Sequence, residues 1–250
     1  MNWRLKKQIV YGLIMMLLLS IFILGLWFVF KPAPSCFNNI KDSTEEGIDC
    51  GGPCIPCEIA NLKLETEKPK VIIYPNNTFD IVVRVKNKSD KYGLRKFKYK
   101  FILTGDNNIK AELSNESFIL PLQTKYLTAV NIKKPDFNII SADIEIDFNK
   151  NDWLEIESYN TKVEMLNYEI KDNKLFAEII NNDSIPYYDL EINFLIYDIF
   201  ENIIGVLKTK VDYLEPLDRK SIILIMPPIS KEINRIDIFP YYNFFKENEN

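Results

Sequence analysis

"VRVKNKSDKYGLRKFKYKFILTG", residues 83–105, decides how this chain is read. Its second half places Phe97, Tyr99, Phe101 and Leu103 at alternate positions, with Lys98, Lys100, Ile102 and Thr104 between them. A period of two is that of a strand with one face in a core and the other in water. Just upstream, Phe79, Ile81, Val83 and Val85 alternate in the same way with Asp80, Val82, Arg84 and Lys86. Between the runs, Asn87-Lys88-Ser89-Asp90 supplies turn formers. The behaviour spreads outward. Ile140, Ala142, Ile144, Ile146 and Phe148 alternate with Ser141, Asp143, Glu145 and Asp147, and segments 175–180, 189–197, 206–214 and 221–226 read as further strands. Gly105-Asp106-Asn107-Asn108 and Lys134-Pro135-Asp136 read as turns, and no stretch past residue 58 sustains a helical period.

The same stretch also has a partner. It can be laid over "AEIINNDSIPYYDLEINFLIYD", residues 177–198, with Asn87 against Asn181. Downstream, "FILPLQTKYLTAV" (118–130) matches "DYLEPLDRKSIIL" (212–224). The offset of about 95 residues is near the size of one immunoglobulin-like sandwich. The expectation is an all-β chain with two tandem immunoglobulin-like β-sandwiches, at 58–150 and 160–250. The second copy adds a resemblance. Phe194-Leu195-Ile196-Tyr197-Asp198, followed by "NIIGVLKT" and "LEP", is similar to the FxLYD domain, an extracytoplasmic β-sandwich module. The first copy keeps Phe101-Ile102-Leu103 but has Thr104-Gly105 where Tyr-Asp would stand. The resemblance implies a fold and a location and supplies no catalytic residues. On structural grounds, the Phe and aliphatic positions belong in a core, and the Asp begins a turn by bonding to the backbone.

At the other end, residues 9–30, "IVYGLIMMLLLSIFILGLWFVF", carry no charge. About 20 apolar residues cross a hydrocarbon core, so the run is long enough. Arg4, Lys6 and Lys7 precede it and only Lys31 follows closely. By the positive-inside rule, residues 1–8 stay in the cytoplasm, 9–30 form a transmembrane helix, and the rest lies outside. Trp27 and Phe28 suit the outer headgroup region. A cleavable signal would have a shorter apolar region and a small-residue site, whereas this run ends in Trp-Phe-Val-Phe-Lys-Pro. Ala33-Pro34-Ser35 likewise lacks the large aliphatic residue of a lipoprotein signal ending at Cys36. The localisation read from this is the cell membrane, single-pass, with the C-terminal domains extracellular and the membrane itself as one partner.

All four cysteines fall within the neck, 31–57, in the spacing Cys36-x13-Cys50-x3-Cys54-x2-Cys57. Outside the membrane thiols oxidise, and a small loop-rich segment with little apolar content needs crosslinks. Two structural disulfides are the preferred reading, with three pairings open. The alternative is a thiol-disulfide oxidoreductase using Cys54 and Cys57, since Cys-Ile-Pro-Cys has a redox spacing. Against it, Gly51-Gly52-Pro53 precedes and no βαβ pattern follows. A zinc site favours two close pairs of cysteines, and Cys36 stands apart. The segment resembles a short cysteine motif, C-x-D-G-x-x-N-x-x-E-x-x-x-D-C-G-G-x-C-x-x-C, found in surface proteins of many bacteria and archaea. It is frequent just outside a membrane anchor in DPANN archaea and candidate-phylum bacteria. Cys36, Glu45, Asp49, Cys50, Gly51, Gly52, Cys54 and Cys57 fit it, while Asn38, Asn39 and Asp42 depart from it. The motif carries no agreed activity. The oxygen side chains of Asn38, Asp42, Glu45 and Asp49 are calcium candidates, weighed against a plain solvated loop.

Composition excludes several function classes. Setting aside Arg4, Lys6, Lys7 and Lys31, 27 basic residues face 35 acidic ones, a net charge of −8 that repels phosphate backbones and argues against nucleic-acid binding. With no histidine, Ser-His-Asp and Cys-His catalysis and the usual zinc hydrolase sites are closed. Past the neck only Gly93, Gly105 and Gly205 remain, too few for a phosphate-cradling loop or a dinucleotide fingerprint. No cofactor and no small-molecule substrate is indicated. Carboxylates such as Glu155/Glu157 and Asp143/Glu145/Asp147 are spaced as a wet sheet face rather than an acid–base pair. Asn76, Asn87, Asn115 and Asn182 stand in N-x-S/T sequons, glycan acceptors in a glycosylating host. The aromatic C-terminal stretch "IFPYYNFFKENEN" reads as a last strand, part of which could offer a docking surface. The expected role is binding, adhesion or assembly with other envelope or surface proteins, and not enzymatic.

Overall fold

The uncharged run 9–30 lies within helix α1, Trp3–Phe30, 28 residues and hence about 42 Å long. Its described side chains are exposed on every side, so it is apolar all round with no protein cover. Its one serine is satisfied internally: Ser20 Oγ donates to the carbonyls of Met16 and Leu17, both at 2.9 Å. One N-terminal helix is therefore long and apolar enough to span a membrane. The computed structural model describes residues 3–30 and 35–245. Lys31, Ala33-Pro34, the side chains of Lys6, Trp27 and Phe28, and the polar tail 246–250 lie outside the described residues. The chain divides into two compact units, Met1–Ala60 and Asn61–Asn250. The short helix α2, Cys57–Ala60, closes the first.

The second unit is built from strands. They are β1 (Glu65–Thr66), β2 (Lys70–Ile73), β3 (Thr78–Lys86), β4 (Tyr92–Gly105), β5 (Lys110–Ile119), β6 (Thr124–Lys133) and β7 (Ile139–Asp147), followed by β8 (Trp153–Glu155), β9 (Val163–Lys171), β10 (Lys174–Asn181), β11 (Tyr187–Tyr197), β12 (Ile203–Leu214), β13 (Arg219–Ile225) and β14 (Arg235–Tyr241). In the first sandwich β3 pairs with β1 and β2 along one edge and with β6 along the other, while β4 pairs with β5 on one side and with β7 and β8 on the other. The second sandwich has the orders β13-β10-β9 and β12-β11-β14. With β3 matched to β10 and β4 to β11, the two halves share one topology. The first sandwich extends to Glu155, a few residues past the expected limit.

The repeat persists at the level of single atoms. Asn87 and Asn181 are both buried. Asn87 Nδ2 donates to the carbonyls of Tyr92 (2.8 Å) and Leu120 (2.9 Å), and its Oδ1 accepts from Ser89 N–H at 3.0 Å. Asn181 Nδ2 donates to the carbonyls of Ile185 (2.9 Å) and Glu215 (3.0 Å), and its Oδ1 accepts from Asp183 N–H at 2.9 Å. Each asparagine thus ties the turn after its own strand to a distant corner. That corner is a Pro-Leu turn in both copies. Gln123 N–H bonds to the Leu120 carbonyl and Asp218 N–H to the Glu215 carbonyl, each at 3.3 Å. Pro121 and Pro216 occupy the second position, where a fixed φ is favourable, and Leu122 (φ 55°) and Leu217 (φ 58°) follow in the left-handed region.

Alternation describes β4 well, with Phe97, Tyr99, Phe101 and Leu103 buried and Lys98 exposed. It fails at three places. In β7, Ala142 is buried and Ile144 and Ile146 half-buried, but Ile140 stands in solvent. In β3 the supposed water face is covered: Asp80 and Val82 are as buried as Ile81 and Val83. In β11 every residue from Ile192 to Tyr197 is buried, so neither face there meets water. The cause is that the β3 sheet packs its outer face on the β11 sheet. Val82 meets Leu195, Tyr197 and Val206, flanked by Ile72, Tyr126, Val130, Ile203 and Phe239. The aromatic C-terminus joins the same junction. β14 pairs with β11 as the last strand, but Tyr241 and Phe245 then pack on Phe118 and Leu120 of the first sandwich. Of the expected docking surface, Tyr241 and Phe245 are buried against the chain itself.

Candidate functional site

In the neck, the glycines permit a tight fold that the cysteines lock. Gly52 has φ 60°, and a Cβ there would stand 1.9 Å from the Thr44 carbonyl oxygen, so only glycine fits. The bonds formed are Cys36–Cys54 and Cys50–Cys57, and among the described residues no cysteine is free. The two bonds interleave along the chain. The oxidoreductase alternative needs Cys54 bonded to Cys57; each is bonded elsewhere, and the pair does not form.

The four calcium candidates do come together, but as acceptors for the neck's own backbone. Asp49 accepts from the N–H groups of Asn38 (3.0 Å) and Asn39 (3.0 Å). Asp42 accepts from Ser35 N–H (2.9 Å) and from Asn38 Nδ2 (3.1 Å). Buried Glu45 accepts from Asp42 N–H (3.1 Å) and Asp49 N–H (3.3 Å). Hydrogen bonds of this kind replace the apolar core that so short a segment lacks. Among the described residues, three potential metal ligands cluster at Cys36, Glu45 and Cys54, but the two sulfurs are bonded to each other.

The sequons divide. Asn76, Asn115 and Asn182 are exposed. Asn87 is not an available acceptor, a correction to the sequence reading: its amide nitrogen is buried and already donates to two carbonyls. Asp143, Glu145, Asp147, Glu155 and Glu157 lie exposed. Glu145 pairs with Lys100 at 3.4 Å, and Glu155 with Lys91 at 3.6 Å.

A concave surface lies where the sandwiches meet. Among the described residues, cross-sandwich hydrogen bonds run from Asn193 Nδ2 to the Tyr126 carbonyl (2.8 Å), from Tyr126 N–H to the Tyr241 hydroxyl oxygen (2.8 Å), and from Val206 N–H to the Asp80 carboxylate (3.2 Å). Asp80 also accepts from the Tyr74 hydroxyl (2.5 Å) and Asn131 N–H (2.8 Å), and burial holds its carboxyl above the usual carboxylate range. Beside these bonds opens a cleft of about 1050 Å³, of the size that suits a ligand or a protruding side chain. Phe118, Tyr241, Tyr242 and Phe245 give it an aromatic lining, and Tyr188 lines it while stacking on Tyr213 with ring centroids 4.9 Å apart. Its charges are matched: Lys96 with Glu116 (2.9 Å), Lys208 with Glu191 (3.1 Å), Lys210 with Asp189 (2.5 Å).

Behind this lining sits Lys125, fully buried. Its Nζ is 3.6 Å from the Phe118 ring centroid and 4.8 Å from that of Tyr241, with no hydrogen-bond acceptor. Burial pushes the amine down to about 8, opposed by the charge of Glu191 and assisted by that of Lys208. Sequence reading missed this residue, although a signal was present: Lys125 shares the alternation of Leu127 and Ala129 on the core side of β6. Chemically, the cleft offers aromatic faces, paired charges and a cation held behind aromatic rings.

No family profile matches the sequence, and no curated protein matches it. Among solved structures the chain is similar to red sea bream transglutaminase at 10% identity over 72% of this chain, with a TM-score of 0.21. The match spans 31% of that protein's length.

Proposed function

We propose that this chain is a single-pass membrane protein, N-terminus in the cytoplasm, whose paired immunoglobulin-like sandwiches act outside the membrane in binding, adhesion or envelope assembly. The observation that carries the reading is the neck. Every cysteine of the chain is bonded in it, next in sequence to a helix apolar on all sides. Disulfides persist in oxidising compartments, and the cations Arg4, Lys6 and Lys7 ahead of the apolar run 9–30 favour retention of that end in the cytoplasm. The role in binding is supported by the cleft. Aromatic faces and matched charges in a concave surface between rigid sheets suit recognition of another envelope protein, and the cross-sandwich hydrogen bonds keep that surface preformed.

Sidedness is tested by treating intact cells with a protease and blotting for the C-terminal part of the chain. Loss of that part supports the reading, and an untouched chain in intact cells that is digested after lysis sinks it. The binding face is tested by Tyr188→Ala combined with Lys208→Glu, which should abolish envelope cross-links to the chain while leaving its unfolding temperature unchanged.

A further inference from the structure

The loop between β11 and β12 raises two apolar side chains into solvent: Ile199 is 59% and Phe200 77% exposed. The loop is built not to yield. Buried Asp198 accepts from Phe200 N–H (3.0 Å) and from Asn202 N–H (2.9 Å) and Nδ2 (3.1 Å). The Asp198 carbonyl accepts from Glu201 N–H, and Asp198 N–H bonds to the Asn202 carbonyl. The apolar pair is therefore held out by a hydrogen-bonded frame.

We propose that Ile199 and Phe200 insert into the surface of the bilayer in which α1 is anchored; the inference rests on that anchor reading. Two observations favour lipid over a protein as the occupant. First, the tip's backbone donors at Phe200, Glu201 and Asn202 are already used within the loop. A lipid surface requires this, because it offers apolar segments no partner for a free N–H. Second, the carboxylates beside the tip are neutralised. Glu201 pairs with Arg235 at 2.7 Å and Asp198 with Lys231 at 3.6 Å, while Lys70 lies in the field of Asp198. In an ectodomain of net charge −8, the tip is thus freed of unpaired negative charge, and its lysines have stems long enough to reach headgroup phosphates. The tether makes a weak contact sufficient. Between Phe30 and Asn61 the covalent path shortcuts through the Cys36–Cys54 bond, with a Cα–Cα separation of 5.5 Å. Its extended length is then about 50 Å at ~3.5 Å per residue, so insertion is an intramolecular event at high effective concentration.

The test uses the full chain carrying Phe200→Cys, labelled with an environment-sensitive thiol dye, since the native cysteines are bonded. The labelled chain is placed in phosphatidylcholine nanodiscs with and without nitroxide lipid. Leu217→Cys, at the far end of β12 and also exposed, is the control. Blue-shifted emission and nitroxide quenching at position 200, absent at 217 and lost when Ile199→Asp is added, is the expected result. Equal, water-like emission at both positions overturns the inference, as does quenching that appears only when nitroxide vesicles are added from outside. Co-elution of chain and disc is read separately. A chain that does not enter the discs overturns the anchor reading, and the inference falls with it.

Discussion

Lys125 gives the sharpest quantitative test of the junction. Replacing it by methionine keeps an unbranched side chain of similar length against Phe118 and Tyr241 and removes a charge that has no acceptor. In the fold the amine titrates at about 8 rather than 10.5, because burial disfavours its charged form. At pH 7 it is charged both folded and unfolded, so the wild type carries the whole difference as a cost of about 3 kcal/mol. The two ring contacts return about 1–2 kcal/mol of this as cation–π attraction. The Lys125→Met chain should therefore be more stable at pH 7 by about 1–2 kcal/mol, a rise of about 2–8 °C in unfolding temperature for a unit of this size. The sign with pH follows from the same titration. Between pH 8 and 10.5 the unfolded lysine still holds its proton while the folded one has lost it. The unfolded state then binds more protons, and wild-type stability rises with pH. The variant's advantage should accordingly shrink over that window and be gone or reversed above it. Other groups titrate in both proteins and cancel in the difference. The assay is urea unfolding of both full chains in mild detergent at pH 7, 9 and 10.5, followed by near-ultraviolet circular dichroism. A variant less stable than wild type at pH 7, or an advantage unchanged at pH 10.5, would refute the argument.

Four further outcomes are expected. Peptide mapping without reduction should return Cys36 linked to Cys54 and Cys50 to Cys57; a Cys54–Cys57 peptide would restore the redox reading. Gly52→Ala drives a Cβ into the Thr44 carbonyl, so the purified variant should show reactive thiols or scrambled bonds where wild type shows none. Asn181→Ala leaves the carbonyls of Ile185 and Glu215 without their donor, costing about 2–6 kcal/mol at ~1–3 kcal/mol per unsatisfied buried group. The same geometry at Asn87 means that expression in a glycosylating host should leave Asn87 unmodified, which glycopeptide analysis can read.

The strands were legible because alternation reports directly on one buried face, as at Phe97 to Leu103. Alternation cannot report a second burial on the polar-looking side. Asp80 and Asn193 resemble solvent-facing residues in the sequence. They are instead the polar fasteners of the junction: Asp80 accepts from Tyr74 and Val206, and Asn193 donates its amide N–H to the Tyr126 carbonyl. One clue was present in the run of four apolar residues at Phe194-Leu195-Ile196-Tyr197, too continuous for a strand with a wet face. The stretch 194–198 divides accordingly: Phe194 and Ile196 enter the second core, Leu195 and Tyr197 the junction, and Asp198 the turn. The Asn87 sequon misled because three residues define a sequon, while burial depends on a corner 33 residues away. The neck's polar residues were visible, but their use as acceptors for backbone N–H groups depends on positions that only the closed loop creates.

The interleaving of the two neck bonds bears on how the outer part of the molecule can be lost. A single peptide cut anywhere from Cys36 to Cys54 is bridged by the Cys36–Cys54 bond, and one between Cys54 and Cys57 by the Cys50–Cys57 bond. A nick within that segment therefore severs the backbone without releasing the sandwiches beyond it. Shedding by one proteolytic event would have to strike on either flank, or wait for a reductant.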